Sequence, residues 1–370
     1  MPVRAQRLTW RDLPYGEFDL PRKTLRLTLG LGSGLTRRAG DGALFAVTDR
    51  GPNMFASTAV DDYGLTAVEH LRATDAKIMP APERGPEIVE LAIDANTVRA
   101  IRSIPLTTRT GARVSGLPMP AADQQDVENI FGIDGNPILS KDLGADAEAI
   151  AAMPDGGFFV AEEYGPSLLK VGPDGVVAER WVPAGAEALQ WHADLPARGI
   201  LPSSLASRRS NRGLEALCAS PDGAWLYTGM QSALGGEDPR FAPIWKLDAQ
   251  TGALAAEWRY PFDAPATFRR DAARRKVSDT DVKACEFAWA GEDRLIVLER
   301  IAHSSKLYLV DLKQLPQKHL LMSSDDHPQI GADIEGMTLL SSSEILIASD
   351  NDFGVEGAET EFWRITIAPL

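Results

Sequence analysis

The sequence predicts an all-β fold: a single β-propeller of five to six four-stranded blades, its ring closed by the N-terminal strand. Three observations predict it. One strand–turn–strand pattern recurs four or five times along the 370 residues. A second hairpin follows most copies. The last copy lacks a strand that the N-terminus can supply.

The copies read EAIAAMPDGGFFVAEEYGP from Glu148, EALCASPDGAWLYTGMQS from Glu215, EFAWAGEDRLIVLERIAHS from Glu286 and EGMTLLSSSEILIASDNDFG from Glu335. A weaker copy, SGLTRRAGDGALFAVTDRGPN, starts at Ser33. Pro, Asp, Gly and Ser occupy the turns, and Val, Ile, Leu, Phe and Trp the flanks, as hairpin and strand chemistry prefer. Second hairpins begin at Ile88, Ser167 and Ile244, and KLYLVDLKQ from Lys306 opens another. Two hairpins make a four-stranded unit, and radial repetition of such units makes a propeller. EFWRITIAPL ends the chain one strand short, and Arg4–Trp10 is similar to the fourth strands elsewhere. The whole chain, residues 1–370, reads as one domain, with residues 107–147 long enough for a lid or a degenerate sixth blade. The competing architecture is an open β-sandwich or a pair of β-domains, in which strands seldom repeat one pattern this closely.

Residues equidistant from a hairpin turn lie side by side at its open end. That count pairs Glu148 with Glu162, Glu215 with Gln231, Glu286 with Glu299, Glu335 with Asp350 and Ser33 with Asp49. Radial repetition then gathers Glu148, Glu215, Glu286 and Glu335 at one mouth of the channel. Asp49, Glu162, Glu299, Asp350 and Asp352 stand beside them. Like charges collect only if some are protonated or if cations hold them. A carboxylate ring without Cys and poor in His suits Ca²⁺, or Mg²⁺, better than Zn²⁺. The plain alternative for each Glu is a latch between blades.

Loops entering the same mouth are basic: Arg208, Arg209 and Arg212 in one, and Arg269, Arg270, Arg274, Arg275, Lys276 and Lys283 in the other. Arg suits bidentate binding of phosphate or carboxylate. The catalytic candidates are Glu335, Glu215, Arg300 and His303; the substrate-binding candidates are Arg50, Asn53, Arg212 and Asn351.

The formal net charge of −14 argues against sequence-general nucleic-acid binding and favours cations as partners. Cys218 and Cys285 sit in apolar surroundings and read as buried free thiols. No run of about 18 apolar residues predicts a membrane span. As written, the chain reads as cytoplasmic, or as periplasmic or secreted if a signal peptide has been removed.

Taken together, TDRGPN (Thr48 to Asn53), EAIA with VAEEYGP, NRGLEAL with SPDG, VLER, and IEGM with SDNDFG resemble the phytase-like family, described as "esterase-like activity of phytase". The resemblance runs over roughly residues 30 to 360. It implies a β-propeller related to calcium-dependent alkaline phytases, in which carboxylates hold Ca²⁺ ions that bind substrate phosphate and a nucleophilic water. By motif, the metal carboxylates carried over are Asp49, Glu148, Glu162, Glu215, Glu299, Glu335, Asp350 and Asp352. Ser33 and Gln231 depart from that pattern. The expected activity is metal-dependent hydrolysis of a small, anionic phosphoric ester. The alternatives are a calcium-assisted lactonase or carboxylic ester hydrolase, and a non-enzymatic ligand-binding propeller.

Overall fold

Burial follows the order of strands within each repeat. In the third copy Trp225–Met230 is buried almost throughout, whereas Leu254–Pro261 has mostly exposed or half-exposed positions. Such a gradient is expected when the early strands of each unit are sandwiched between neighbouring units and the last faces solvent. The computed structural model describes residues 3–120, 128–139 and 143–370.

Five antiparallel sheets run in chain order. The first comprises Gly34–Arg37, Leu44–Val47, Glu87–Asp94 and Thr97–Pro105. The second comprises Ala147–Ala152, Phe158–Glu162, Ser167–Val171 and Val177–Pro183, with Ala197–Leu201 added in parallel at its edge. The third runs from Leu214–Ala219 to Leu254–Pro261 and the fourth from Lys283–Gly291 to His319–Ser323. The fifth joins Ile334–Ser341, Glu344–Ser349 and Phe362–Thr366 to Arg4–Leu8. There the N-terminal segment pairs antiparallel with the last strand, Arg4 opposite Thr366 and Leu8 opposite Phe362.

Apolar side chains fill the space between successive sheets. Phe45 and Ile88 pack with Val160 and Leu169 between the first and second. One cluster between the second and third contains Trp181 and Trp245, and another between the third and fourth contains Tyr227 and Val297. Leu298 and Ile347 share a cluster between the fourth and fifth, and Leu8, Leu346, Leu35 and Val89 share one between the fifth and first. The fold is all-β and propeller-like.

Two features depart from the regular pattern. Residues 48–86 form a long insertion between the second and third strands of the first sheet. It carries the helix Ala56–Asp61 and the short strands Met54–Phe55 and Lys77–Met79. In residues 107–147, Ile130–Gly132 joins those two short strands as a small sheet. Among the described residues this stretch makes no four-stranded unit; residues 121–127 and 140–142 of the lid or sixth-blade expectation lie outside them. Cys218 and Cys285 are free and buried.

Candidate active site

A shared irregularity at the start of the inner strands builds the site. Hairpin register shifts between Ala147 and Ala149, Leu214 and Ala216, Ala284 and Glu286, and Ile334 and Gly336. A β-bulge inserts one residue and re-aims its side chain. The inserted residues are Glu148, Glu215, Cys285 and Glu335; Ser33, just before Gly34, takes the corresponding place in the first sheet. On the second strands, Val47, Ala161, Gly229, Leu298 and Ala348 hold equivalent register positions. Two residues further on stand Asp49, Glu163, Gln231, Arg300 and Asp350. Two residues before the bulge stand Leu31, Asp146, Gly213, Lys283 and Asp333. The second sheet therefore presents Asp146, Glu148 and Glu163 where the fourth presents Lys283, Cys285 and Arg300. Gly213 is required in its place, because a Cβ there would collide with the backbone of Glu163.

These columns converge on a cavity of about 160 Å³. Its wall includes eight carboxylates against four cationic side chains, Arg50, Lys77, Lys283 and Arg300, which leaves four formal negative charges. Seven of the acids form a continuous arc of triads that share corners. Asp49, Asp350 and Asp352 make one triad, Asp49, Asp146 and Glu148 the next, and Glu148, Glu163 and Glu215 the third. Within each triad one oxygen from every carboxylate lies within 4.8 Å of the others. The eighth acid, Glu335, is ion-paired with Arg300, which also contacts Asp333 at 3.0 Å and the Cys285 sulfur at 3.1 Å. A wider groove of about 400 Å³ continues outward past Arg212, Arg275, Lys283 and Arg300. Asn211, Asp333 and Asp352 border these spaces with φ of 51°, 50° and 45°. Such left-handed positions in non-glycine residues cost energy and cluster at functional sites.

The arc is electrostatically loaded. Burial, then the adjacent Asp146, holds the Asp49 carboxyl well above the usual range. Burial, then Glu215, does the same to Glu148 and to Glu163. Burial and Asp352 push Asp350 up to about 7, while the Ser33 hydroxyl donates to it at 3.0 Å. Burial and Arg300 push Lys283 down. Four buried oxygens on this wall have no hydrogen-bond partner among the described residues: Asp146 Oδ1, Glu163 Oε1, Glu215 Oε2 and Gln231 Oε1. Buried polar atoms left unpaired cost roughly 1–3 kcal/mol each, more when charged, so this wall is satisfied either by protons shared between Asp49 and Asp146 and between Glu163 and Glu215 or by a bound cation.

Residues 28–353 match the family model described as phytase-like, "esterase-like activity of phytase". The chain belongs to the phytase-like family. A search of curated protein sequences finds no match. Among solved structures, this phytase-like chain is similar to the PQQ-bound aldose sugar dehydrogenase from Streptomyces coelicolor. Identity is 10%, 99% of each chain is covered, and the TM-score is 0.38. It is likewise similar to selenomethionine-substituted virginiamycin B lyase from Staphylococcus aureus, at 10% identity, 99% of each chain and a TM-score of 0.39. The Malassezia sympodialis allergen Mala s 1 matches at 11% identity over 91% of this chain and 78% of that one, with a TM-score of 0.37.

Of the residues singled out in the phytase-like sequence, Asp49, Arg50, Asn53, Glu148, Glu215, Arg300, Glu335, Asp350 and Asp352 line the inner cavity, and Arg212 lines the groove. Five others are placed elsewhere. Glu286 lies one residue past the bulge and points the other way, accepting from the backbone of Leu35, Leu217 and Phe287 at 3.2, 3.3 and 2.9 Å. Glu162 accepts from the backbone of Asp146, Tyr164 and Gly165, and so ties down a turn. Glu299 is fully buried and meets Tyr260, Lys318 and the backbone of Asp263, on the side of the fourth sheet that faces the third. His303 does not line the cavity, and Asp271 holds its backbone N–H. Asn351 is buried, donating to Thr28 and Leu29 while Asp350 and Asp352 face the cavity.

The physical reason for Glu162, Glu286 and Glu299 is parity. Alternate residues of a strand face opposite sides, so a one-residue error in register swaps faces. Counting from the turn misses the bulge in the second and fourth copies; aligning VTDR, AEEY, GMQS, LERI and ASDN column by column selects Glu163 and Arg300. Asp146, Lys77, Asn211 and Gln231 complete the wall, and extending the alignment to the first strands reaches Asp146 as the counterpart of Lys283. Lys77 comes from the insertion, for which the repeat gives no template. Because Glu299 is a latch, Glu299→Gln should lower unfolding free energy by about 1–3 kcal/mol and leave Ca²⁺ affinity unchanged. Denaturant titration and calorimetry check this; a weaker Ca²⁺ affinity would return Glu299 to the site.

Proposed function

We propose that this chain is a five-bladed propeller, completed by its N-terminal strand, that hydrolyses phosphoric esters with the help of Ca²⁺ at the acidic mouth. The observation that carries the reading is the set of four unpaired buried oxygens on the acidic arc. The donor set fits a hard divalent cation. It is all oxygen, without His or thiolate, and crowded enough for the six to eight ligands that Ca²⁺ takes. Mg²⁺ shares the oxygen preference but demands a smaller octahedral shell.

Asp49, Asp146, Glu148, Glu163, Glu215, Asp350 and Asp352 would hold the cation. When bound, it supplies polarisation of a phosphoryl oxygen and activation of a water. The chain's own cations fix the rest of the chemistry. Arg300, held by Glu335 and Asp333, and Lys283, for which no acceptor occurs among the described residues, face the arc from the fourth sheet. An anionic substrate group is thereby attracted to the side of the cavity opposite the metal carboxylates. Arg50 is held by Glu128 at 2.8 Å and stays at the arc as a fixed counter-charge to Asp146.

The test is an activity panel of p-nitrophenyl phosphate, p-nitrophenyl acetate and γ-butyrolactone, in Ca²⁺ and in EDTA. Phosphate release only with Ca²⁺ is the expected result. Turnover of the acetate or lactone without the phosphate would move the assignment to a carboxylic ester hydrolase. No turnover of any would leave a binding propeller.

A further inference from the structure

The other end of the channel has a cavity of its own, of about 360 Å³. Every one of the five sheets contributes to it. Leu35, Ala152, Cys218, Phe287 and Leu339, one from each, are followed outward by Trp289. All lie on the turn side of the bulges that build the acidic mouth. Three backbone N–H groups at this level, those of Leu35, Leu217 and Phe287, are turned inward onto the buried Glu286 carboxylate. That cross-channel strut separates the two ends. The volume falls within the usual range for small-molecule pockets, roughly 300–1,000 Å³, and most of the lining side chains are apolar, while exposed polar groups add a comparable polar surface.

Charge selects the occupant. Among the described residues Arg37 is the single charged one lining this cavity, on a chain whose net charge is −14. Its guanidinium lies against Gly42 in the first hairpin's turn, at the rim, and it has no ion pair or hydrogen bond among the described residues. Hydroxyls of Thr36, Ser220 and Thr338 are the remaining side-chain polar groups. We propose that this end of the channel binds a small apolar carboxylic acid, its hydrocarbon or aryl part against Phe287, Trp289 and Leu339 and its carboxylate at Arg37. The acid end stays outward, because Glu286 occupies the inner end. The site is independent of the metal chemistry at the opposite mouth.

The experiment uses the full chain and two probes, octanoate and octanol, in competition with the apolar anion 8-anilinonaphthalene-1-sulfonate. Saturable dye binding at one equivalent, displaced by octanoate and unchanged by EDTA or inorganic phosphate, is expected. Arg37→Ala should weaken octanoate about fivefold, the scale of an exposed ion pair, and leave octanol unchanged. Arg37 is exposed, so this variant should fold; Trp289→Phe should remove the fluorescence change on octanoate binding. No saturable binding would mean that this end of the channel is merely filled with water, and would overturn the proposal. Dye displacement by phosphate, or its loss in EDTA, would overturn it too, by placing binding at the acidic mouth. Equal octanoate affinity in Arg37→Ala would remove the carboxylate contact and with it the ligand class.

Discussion

Glu148→Gln is expected to abolish Ca²⁺-dependent hydrolysis and to weaken Ca²⁺ binding by more than about 100-fold. That factor is the upper end of what losing an outer hydrogen-bond partner of a metal ligand costs, and Glu148 stands closer than that. It is the corner common to the second and third triads, so one substitution removes a negative charge from both. Gln keeps nearly the same volume and can still accept a hydrogen bond, so packing is preserved. The metal-free protein should not lose stability. Burial, Glu215 and Asp49 all oppose ionisation of Glu148, and a neutral side chain there relieves repulsion. Calorimetric Ca²⁺ titration, thermal melting in EDTA and phosphate-ester turnover check the three parts together. Unchanged Ca²⁺ affinity would remove Glu148 from the metal site. Unchanged affinity in Glu299→Gln, beside a large loss in Glu148→Gln, would separate the arc from the latches.

Both substitutions bear on how much of this protein its sequence discloses. The sheets were legible because turn and strand chemistry repeat with the unit, as at PDGG and PDG. The pairing partner of the last strand was legible because EFWRITIAPL stops one strand early. Five of the wall's eight carboxylates were legible too: Asp49, Glu148, Glu215, Glu335 and Asp350 stand where midpoint counting puts them. Glu286 and Glu299 were misplaced because a bulge leaves no mark in composition, yet reverses which face a side chain takes. Glu163 escaped notice beside Glu162 for the same reason. The reversal of charge in the fourth sheet was likewise hidden until register aligned Lys283, Cys285 and Arg300 with Asp146, Glu148 and Glu163. Lys77 lies beyond any repeat argument, because the insertion that carries it is unique to the first sheet.

The second large effect is on stability against pH. Without Ca²⁺ the protein should melt at progressively lower temperature as pH rises from 5 to 8. Asp350 titrates near 7, raised by burial and by Asp352, and burial together with neighbouring acids raises Asp49, Glu148 and Glu163 well above the usual range. The unfolded chain ionises these groups near 4, so between the two pH values the folded state holds more protons. Their contribution is therefore fully present below about pH 4 and is lost as pH rises through each group's folded-state value, about 7 for Asp350, at about 1.36 kcal/mol per pH unit for each proton held. On the proposed reading Ca²⁺ would replace those protons, so its stabilisation should grow with pH. At 100 times its Kd it contributes about 2.7 kcal/mol. Over 370 residues, with roughly 2.1 cal/mol/K of unfolding entropy each, that is a rise of about 3 °C. Asp350→Asn should flatten the metal-free profile around pH 7, which distinguishes the arc from the general effect of an acidic surface. A melting temperature in EDTA that is level or climbs from pH 5 to 8 would defeat the account. So would a Ca²⁺ shift as large at pH 5 as at pH 8, since a cation that displaces no protons is not bound among these carboxyls.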